Sequence, residues 1–289
     1  MDVLGVDVGG TKILAATVGP RGELESSREW ATPTESAAHA VEAIIDAVRA
    51  IAPQAEAVGV GVPGLVDADG LVAGAVNLPL REVRLRDELE AALGIPVVVE
   101  NDAGAAAYAE WALGPRRDLA MITLGTGMGG GAVTGGQLLR APLEIGHLVL
   151  ERAGGRVYLE SICSGRAADA RARAAFGPDA DARELVRRGR RGDAQALAIL
   201  EQLGQALGLG TASLANALGV ELIVVGGGFA AAGELLFEAA RPVLRREALA
   251  PLGERAELAR ARLGREAGVI GAGLLARAQL DLCRSTQED

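Results

Sequence analysis

Short apolar runs that end in glycine are the most regular pattern along the chain. Val3–Val8 is followed by Gly9 and Gly10, and residues 13–18 form a second apolar run after this turn. Leu119–Leu124 is followed in the same way by the glycine-rich residues 125–131 and another apolar run. Apolar runs of this length between turn signals are typical of buried strands. A strand, a glycine turn and a strand thus occur twice, which predicts a duplicated α/β architecture.

The same periodicities predict the remaining elements. Thr32-Pro33-Thr34-Glu35 has capping-box spacing, so a helix is expected to start there and to end at Pro53. Further elements are strands at residues 24–30, 57–62, 95–99 and 220–225, turns at 67–70 and 135–136, and helices from 102 to about 113, over most of 179–218 and over 266–284. No flexible linker is evident, and we predict one domain of residues 1–113 plus 270–289 and a second of residues 114–269.

Composition excludes several classes of protein. Hydrophobic residues make up 49% of the 289 positions, which rules out low-complexity disorder, while aromatics at 2% require an aliphatic core. The formal net charge of −9 opposes binding to a phosphate backbone, so we expect no nucleic-acid partner.

Cysteine usage and hydropathy predict a cytoplasmic protein. Cys163 and Cys283 are too few for a disulfide framework or a four-cysteine metal site. The first residues lack the basic segment of a signal peptide. The longest uncharged apolar run, between Glu221 and Glu234, is too short for a membrane span, so no membrane association is expected.

Two common nucleotide-binding motifs can be excluded. The segment Gly59-Val60-Gly61-Val62-Pro63-Gly64 has the spelling of a dinucleotide fingerprint, but a turn follows it where that fingerprint requires a helix. A P-loop requires lysine directly after glycine, whereas the only lysine, Lys12, follows Thr11.

Three glycine turns at strand ends remain as candidate phosphate-binding loops. They lie at residues 7–12, 124–131 and 226–228, and the first carries Asp7 and Lys12. Glycine allows backbone N–H groups to approach an anion without a side chain in between. Three ordinary tight hairpins would show the same glycines, but two duplicated loops favour a phosphate clamp.

Asp102 and His147 are the candidates for acid–base and hydrogen-bonding chemistry. Asp102 begins a predicted helix, where it can be a simple N-cap or a carboxylate that the helix dipole keeps ionised as a general base. His147 follows Glu144 at a spacing suited to hydrogen-bonding a polyol, whereas His39, the second of two histidines, is expected on a helix face.

Six ordered motifs together resemble the ROK family of repressors and sugar kinases, over nearly the whole chain. The motifs are Asp7-Val8-Gly9-Gly10-Thr11-Lys12, Gly61-Val62-Pro63-Gly64, Glu100-Asn101-Asp102-Ala103, the segment from Leu124 to Gly131, Glu144-Ile145-Gly146-His147 and Val225-Gly226-Gly227-Gly228. The resemblance implies the actin-like ATPase (ribonuclease H-like) α/β fold, duplicated in two domains with a central cleft. It also implies a hexose kinase, most of all a glucokinase, that uses ATP and Mg²⁺.

The resemblance also implies a role for individual residues. Asp102 would be the general base for the sugar 6-hydroxyl, and Asp7 would position Mg²⁺, directly or through water. Sugar hydroxyls would be bound by Asn101, Glu144, His147 and Glu160, with Asn77 as a weaker candidate. The nucleotide would be bound by Gly9, Gly10, Thr11, Lys12, Thr126, Gly127, Gly226 and Gly227. A homodimer is expected from the family alone.

Two departures from the family pattern change these expectations. Family kinases usually carry a cysteine-rich zinc loop after the Glu-x-Gly-His element, but residues 148–160 contain no cysteine and Tyr158 stands where the last one is expected. Structural zinc needs four nitrogen or sulfur ligands, so we expect none. Family repressors carry a helix-turn-helix region before the first phosphate loop, and this chain starts directly with that strand.

Several functions stay open on the sequence alone. The sugar can instead be N-acetylmannosamine, fructose or allose, and the donor can be polyphosphate. A non-catalytic sugar or nucleotide sensor needs neither Asp7 nor Asp102. An actin-like assembly or chaperone ATPase has no use for Glu144, His147 and Glu160.

Overall fold

A computed structural model describes residues 2–75, 77–141, 143–152 and 155–285. The chain forms two compact units. The first unit comprises Met1–Arg116, Gln137–Pro142 and Arg265–Asp289, and the second comprises Arg117–Gly136 and Leu143–Gly264. These boundaries differ from the sequence-based division by a few residues, and they also assign segment 137–142 to the first unit.

The elements follow the chain in this order. Residues 2–116 form β1 (Val3–Val8), β2 (Lys12–Val18), β3 (Leu24–Ala31), α1 (Ala37–Ile51), β4 (Ala57–Val62), β5 (Leu65–Val66), β6 (Leu71–Gly74), β7 (Val83–Arg84), α2 (Leu85–Leu93), β8 (Val97–Asn101) and α3 (Asp102–Ala112). Later residues form β9 (Leu119–Leu124), β10 (Met128–Thr134), β11 (Gln137–Leu138), β12 (Val149–Arg152), β13 (Gly155–Tyr158), α4 (Leu159–Ile162), α5 (Gly165–Phe176), α6 (Ala182–Arg190), α7 (Ala194–Leu218), β14 (Leu222–Gly226), α8 (Glu234–Glu247), α9 (Leu252–Arg255), β15 (Glu257–Arg260) and α10 (Ala267–Ser285).

The first unit is built on a sheet with the strand order β3-β2-β1-β4-β8. β1 is antiparallel to β2 and parallel to β4, which is parallel to β8. A parallel strand that is buried on both faces has a continuous apolar sequence, as β4 has. The carboxyl ends of β1, β4 and β8 therefore share one edge of the sheet, where ligands of such sheets usually bind.

The C-terminal helix α10 lies against this sheet at very short distance. A Cβ atom on Gly5 of β1 would lie 2.0 Å from the carbonyl oxygen of Val269, and one on Gly59 of β4 would lie 1.8 Å from that of Ala272. Only glycine lets a helix backbone approach a strand so closely. Gly5 and Gly59 therefore allow α10 to pack against β1 and β4 with no side chain in between.

The second unit repeats the pattern, with four of its strands as neighbours in the order β10-β9-β14-β15. β10 and β9 form an antiparallel hairpin, and β9, β14 and β15 run parallel. The core around this sheet is mostly aliphatic, as the composition predicts, with Leu119, Ile122, Leu124 and Ile223 fully buried. The predicted strand–glycine turn–strand units are confirmed in both halves of the chain.

Two helix starts differ from the prediction. α1 begins after Ser36, whose side chain accepts a hydrogen bond from the His39 N–H, and Thr32 instead bonds the β1–β2 turn. α3 is capped by Asn101, not by Asp102, because the Asn101 side chain accepts from the N–H groups of both Ala103 and Gly104. Serine and asparagine are strong N-caps. At the start of α3, Asn101 is the cap because its side chain accepts from two backbone N–H groups.

A helix must be both long and apolar to cross a membrane. Within the described ranges, none of the helices is both long enough and apolar enough to cross a bilayer.

Candidate active site

The turn between β1 and β2 is a tight hairpin held by its own backbone and by Thr32. The Gly9 N–H donates to the Lys12 carbonyl at 2.8 Å. The Thr32 hydroxyl donates to the Gly9 carbonyl at 2.7 Å, and its N–H donates to the Thr11 carbonyl at 3.1 Å. The turn is therefore preorganised, which an anion-binding loop requires. Sequence reasoning assigned Thr32 to a helix cap and missed this role.

Asn77 lies beside this turn. Its φ of 65° places it in the left-handed region that asparagine tolerates better than most residues. A Cβ atom on Gly10 would lie 3.1 Å from the Asn77 Cβ, so glycine at position 10 leaves room for this neighbour. Lys12 forms an ion pair with Glu29 on β3 in the described structure, with half of its side chain exposed.

Asp102 lies close enough to Asp7 for its charge to raise the pKa of Asp7. Asp7 is the penultimate residue of β1, and Asp102 opens α3 directly after β8. Burial and the Asp102 charge raise the pKa of Asp7 to about 7, with burial the larger cause and Lys12 opposing both. A buried carboxylate whose pKa is raised beside a second carboxylate is a frequent feature of functional sites.

The backbone of α10 completes the surroundings of Asp7. A Cβ atom on Gly268 would lie 2.9 Å from Asp7 Oδ2 and 3.2 Å from Oδ1. The carboxyl group of Asp7 therefore lies directly against the second residue of α10. The sequence alone predicts a helix over this segment but does not connect Gly268 with Asp7.

The corner between β8 and α3 is fixed by several hydrogen bonds. Asn101 Nδ2 donates to the Gly64 carbonyl at 2.9 Å, while Asn101 Oδ1 caps α3. The buried Glu100 carboxylate accepts from the Asn101 N–H at 2.9 Å, and burial raises the pKa of Glu100. Asp102 Oδ1 accepts from the Ala103 N–H at 2.8 Å. The position of Asp102 is thus determined by a hydrogen-bonded corner.

The donor chemistry of this region fits Mg²⁺. Mg²⁺ prefers oxygen ligands, and proteins commonly supply one or two carboxylates while substrate phosphates and water complete the shell. Asp7 offers such a carboxylate, buried beside Asp102. Within the described residues, no group of three or more His, Cys, Asp or Glu side chains could hold a metal by itself. This pattern fits a cation that arrives together with phosphates.

In the second unit, two glycine turns lie next to each other. The β9–β10 turn is closed by the Gly125 N–H, which donates to the Gly127 carbonyl at 3.0 Å. Gly226 pairs with Thr123 in the register of β14 and β9. Gly227 has a φ of 86°, and a Cβ atom there would lie 2.4 Å from the Leu124 carbonyl oxygen. Parallel pairing thus brings Thr126 and Gly127 into the same region as Gly226 and Gly227.

Glu144 and His147 lie at the two ends of a single helical turn. Glu144 Oε2 is 3.6 Å from His147 Nδ1. The His147 ring packs against the Tyr158 ring with 5.5 Å between centroids. Tyr158 is the last residue of β13, which pairs antiparallel with β12, and residues 153–154 lie outside the described residues. Tyr158 therefore contacts His147 at the position where the family pattern would have a cysteine.

Glu160 lies against the β9–β10 turn. Its Oε2 accepts a hydrogen bond from the Met128 N–H at 3.2 Å. Cys163, shortly after it, is buried, and burial raises the pKa of its thiol to about 12. Such a thiol is inert as a nucleophile or metal ligand at neutral pH.

The predicted residues fall into two groups, one in each unit. Asp7, the β1–β2 turn, Asn77, Asn101 and Asp102 belong to the first unit, and Thr126, Gly127, Glu144, His147, Glu160, Gly226 and Gly227 belong to the second. The Lys12 side chain, also in the first unit, forms an ion pair with Glu29. Thr32 and Gly268 were missed because their contacts come from distant parts of the chain.

Comparisons with known proteins match nearly the whole chain. The model of the ROK family matches residues 3–279. The glucokinase of Streptomyces coelicolor is 35% identical over 95% of this chain and 97% of its own length. The N-acetylmannosamine kinase of Shigella boydii serotype 18 is 31% identical over 96% of this chain and 99% of its own.

A solved structure extends the likeness to the fold. The ROK family glucokinase from Streptomyces griseus, crystallised with glucose and AMPPNP, is 34% identical and superposes with a TM-score of 0.80. The likeness covers 96% of this chain and all of that one. The two-domain actin-like ATPase fold expected from the motifs is thereby confirmed.

Proposed function

Because this chain belongs to the ROK family, we propose that it is an ATP-dependent glucokinase that phosphorylates the 6-hydroxyl of glucose. Sugar kinase activity follows from the family match together with relatives of over 30% identity that are sugar kinases along their whole length. ATP as donor is supported by the AMPPNP in the similar Streptomyces griseus structure. Glucose and the assignment of single residues are our proposal.

The observation that carries the proposal is the pair of carboxylates at one edge of the first sheet. Asp102 opens α3, where the positive end of the helix dipole favours its ionised form. An ionised carboxylate can accept the proton of a sugar hydroxyl as its oxygen attacks the γ-phosphorus. A protein that only binds sugar or nucleotide has no need for a second buried carboxylate, Asp7, beside it.

Phosphoryl transfer asks the protein mainly for positioning and charge stabilisation. Backbone N–H groups of the β1–β2 turn, at Gly9, Gly10 and Thr11, and of the β9–β10 turn, at Thr126 and Gly127, would bind phosphate oxygens. Gly226 and Gly227 would lie near the adenosine. Lys12 would have to leave Glu29 to contact a phosphate, and the ion pair is exposed enough for this exchange to cost little.

Asp7 is the residue assigned to Mg²⁺, directly or through water. When bound, the cation neutralises charge on the donor phosphates. The ionised form of Asp7 is the one that serves this role, and a nearby positive charge lowers the cost of holding it ionised.

The other sugar hydroxyls are assigned to Asn101, Glu144, His147 and Glu160, with Asn77 as a weaker candidate. Asn101 already uses its oxygen as the α3 cap and one N–H for Gly64, which leaves its second N–H for a ligand. His147 Nδ1 faces Glu144, so Nε2 is its ring atom for a hydroxyl.

The test is a coupled ADP-release assay with Mg-ATP and a panel of sugars. We expect turnover with glucose, and little or none with mannose, fructose, allose, N-acetylglucosamine or N-acetylmannosamine. Asp102→Ala should abolish turnover because no base remains, while glucose affinity measured by calorimetry stays within about tenfold. Turnover that survives in Asp102→Ala contradicts the assignment of the base. No turnover with any sugar contradicts the proposed activity.

N-acetylmannosamine is the second candidate substrate, because a kinase of that sugar matches 96% of this chain at 31% identity. The same panel separates the two candidates directly. Polyphosphate remains the alternative donor, and an arm of the assay with polyphosphate in place of ATP tests it. We also propose a cytoplasmic homodimer whose product, a hexose 6-phosphate, enters glycolysis.

A further inference from the structure

Glu160 occupies the boundary between two groups of residues with different assigned ligands. It is the second residue of α4, it is half-buried, and its Oε2 accepts from the Met128 N–H at 3.2 Å. Met128 is the first residue of β10, directly after the β9–β10 turn at residues 125–127. A Cβ atom on Gly127 would lie 2.8 Å from Glu160 Oε2, so this carboxylate lies on the turn itself.

The backbone of Met128 contacts residues next to both the nucleotide and the sugar groups. Its N–H faces Glu160, and its carbonyl faces the segment with Glu144 and His147. A Cβ atom on Gly146 would lie 2.5 Å from the Met128 carbonyl oxygen and 3.1 Å from the Glu160 Cβ. Residues assigned to the sugar are therefore packed directly on the strand that follows the turn assigned to the nucleotide.

The other side of the turn is held by backbone groups of α5. The Gly165 N–H donates to the Gly125 carbonyl at 2.8 Å, and the Arg166 N–H donates to the Thr126 carbonyl at 3.2 Å. A fixed backbone holds that side, while the Glu160 carboxylate, on a side chain with several rotamers, holds the other. A contact that fixes the Glu160 rotamer therefore also maintains the hydrogen bond from the Met128 N–H.

We infer that Glu160 couples the two ligands: a sugar hydroxyl donating to its Oε1 holds Oε2 on the Met128 N–H and so orders the turn that binds the nucleotide. This inference rests on the proposed function. Hydrogen bonds to an ionised carboxylate are about twice as strong as neutral ones, so a sugar contact at one oxygen restricts the whole group. The first ligand to bind orders the side chain, and the second binds to a site that is already ordered.

Coupling of this kind is reciprocal, and it can be measured from both sides. Calorimetry with a non-hydrolysable ATP analogue, without and with saturating glucose, gives the coupling from the nucleotide side. In the wild-type protein we expect glucose to tighten nucleotide binding by at least about fivefold, the lower end of typical coupling. In Glu160→Ala the ratio of nucleotide affinities with and without glucose should fall towards one, even when glucose is saturating. Glu160→Gln, which keeps an acceptor for the Met128 N–H, should retain part of it.

A matched pair of glycine variants tests the coupling from the sugar side. In Gly127→Ala the new methyl group would displace Glu160 Oε2, so glucose binding measured without nucleotide should weaken by about fivefold or more. Gly74→Ala is the control, because its Cβ meets no atom within 4 Å and it lies on β6, outside the residues assigned to either ligand. Glucose affinity should be unchanged in that variant. Thermal unfolding of each variant checks that it is folded.

The outcomes separate this inference from the function on which it rests. Wild-type turnover with glucose together with full coupling in Glu160→Ala overturns the inference alone. Unchanged glucose affinity in Gly127→Ala, or no coupling in the wild-type protein, also overturns it. A wild-type protein that neither binds nor phosphorylates any sugar of the panel overturns the proposed function and the inference together.

Discussion

At the residue scale, the central feature is a buried carboxylate whose proton affinity depends on its neighbours. Asp7 lies against the first turn of α10, and the charges of Asp102 and Lys12 act on it in opposite directions. Desolvation and a like charge both disfavour ionisation, so holding Asp7 ionised costs stability in the absence of a cation. The site thus stores an unfavourable interaction that a bound positive charge relieves.

This cost predicts how Asp7→Asn changes stability with pH. Burial and the Asp102 charge raise the pKa of the Asp7 carboxyl from its ordinary value of 3.8 to about 7 in the folded protein. As the pH rises between these values, the unfolded chain loses the proton first, so the wild-type protein loses stability. Without Mg²⁺, Asp7→Asn should be more stable than wild type by roughly 1–4 kcal/mol at pH 8, and the gain should vanish towards pH 4.

Thermal unfolding at a series of pH values in the presence of a chelator measures this difference. Asp46→Asn is the control, since Asp46 is exposed on α1 and its replacement should have little effect at any pH. A constant stability difference between Asp7→Asn and wild type across this range would show that ionisation of Asp7 carries no cost.

At this scale, local sequence patterns identify candidate residues but not the contacts that they make. Asp102 was predicted to be the general base partly because it follows a strand and starts a helix, which is a local signal. Its neighbour Asn101 was assigned only to the sugar, while the structure uses it to cap α3 and to reach Gly64. Gly64 is far from Asn101 in sequence, and no local pattern reports that their strands are adjacent.

At the scale of elements, α10 determines where Asp7 and α3 lie in the first unit. Its residue Gly268 lies on the Asp7 carboxyl, and a Cβ atom on Gly271 would lie 1.8 Å from the Ala105 carbonyl of α3. Such contacts tolerate no added methyl group without movement of the backbone. One helix from the end of the chain therefore positions elements that carry both proposed catalytic carboxylates.

Gly268→Ala tests this positioning role. Alanine in a helix interior is normally favourable by about 1 kcal/mol over glycine. Here the methyl group would lie within 3.2 Å of both Asp7 carboxylate oxygens, and overpacking typically costs about 1–3 kcal/mol. We expect lower stability and a kcat reduced by about tenfold or more, with glucose affinity unchanged because Gly268 is not assigned to the sugar.

Steady-state kinetics and glucose calorimetry together separate these effects. The control is Gly74→Ala, where the added Cβ meets no atom within 4 Å and φ is ordinary. A kcat for Gly268→Ala equal to that of the control would mean that Asp7 is not displaced or is not needed.

At the scale of the whole molecule, the chain uses one plan twice. Each unit has a mixed sheet in which an antiparallel hairpin with a glycine turn precedes parallel strands. Glycine contacts pack α10 against the first sheet, and in the second unit they join α7 and α8, where a Cβ atom on Gly204 would lie 2.4 Å from the Leu236 carbonyl. A chain with few aromatic residues can fill its core in this way because backbones approach closely.

The homodimer proposed above belongs to this scale. Size-exclusion chromatography with light scattering should give twice the mass of a single chain at micromolar concentration. A monomeric mass over the whole concentration range would contradict the dimer. It would not contradict the proposed kinase activity.

The sequence by itself determined the fold class, the glycine turns and the type of chemistry, because these depend on local patterns: apolar runs, turn residues and a carboxylate at a helix start. Only the tertiary structure decided which groups meet. Thr32 on the β1–β2 turn, Gly268 on Asp7 and Glu160 on Met128 each join residues that are far apart in the sequence or in separate elements. Their contacts depend on strand order and helix packing, which no single stretch of sequence encodes.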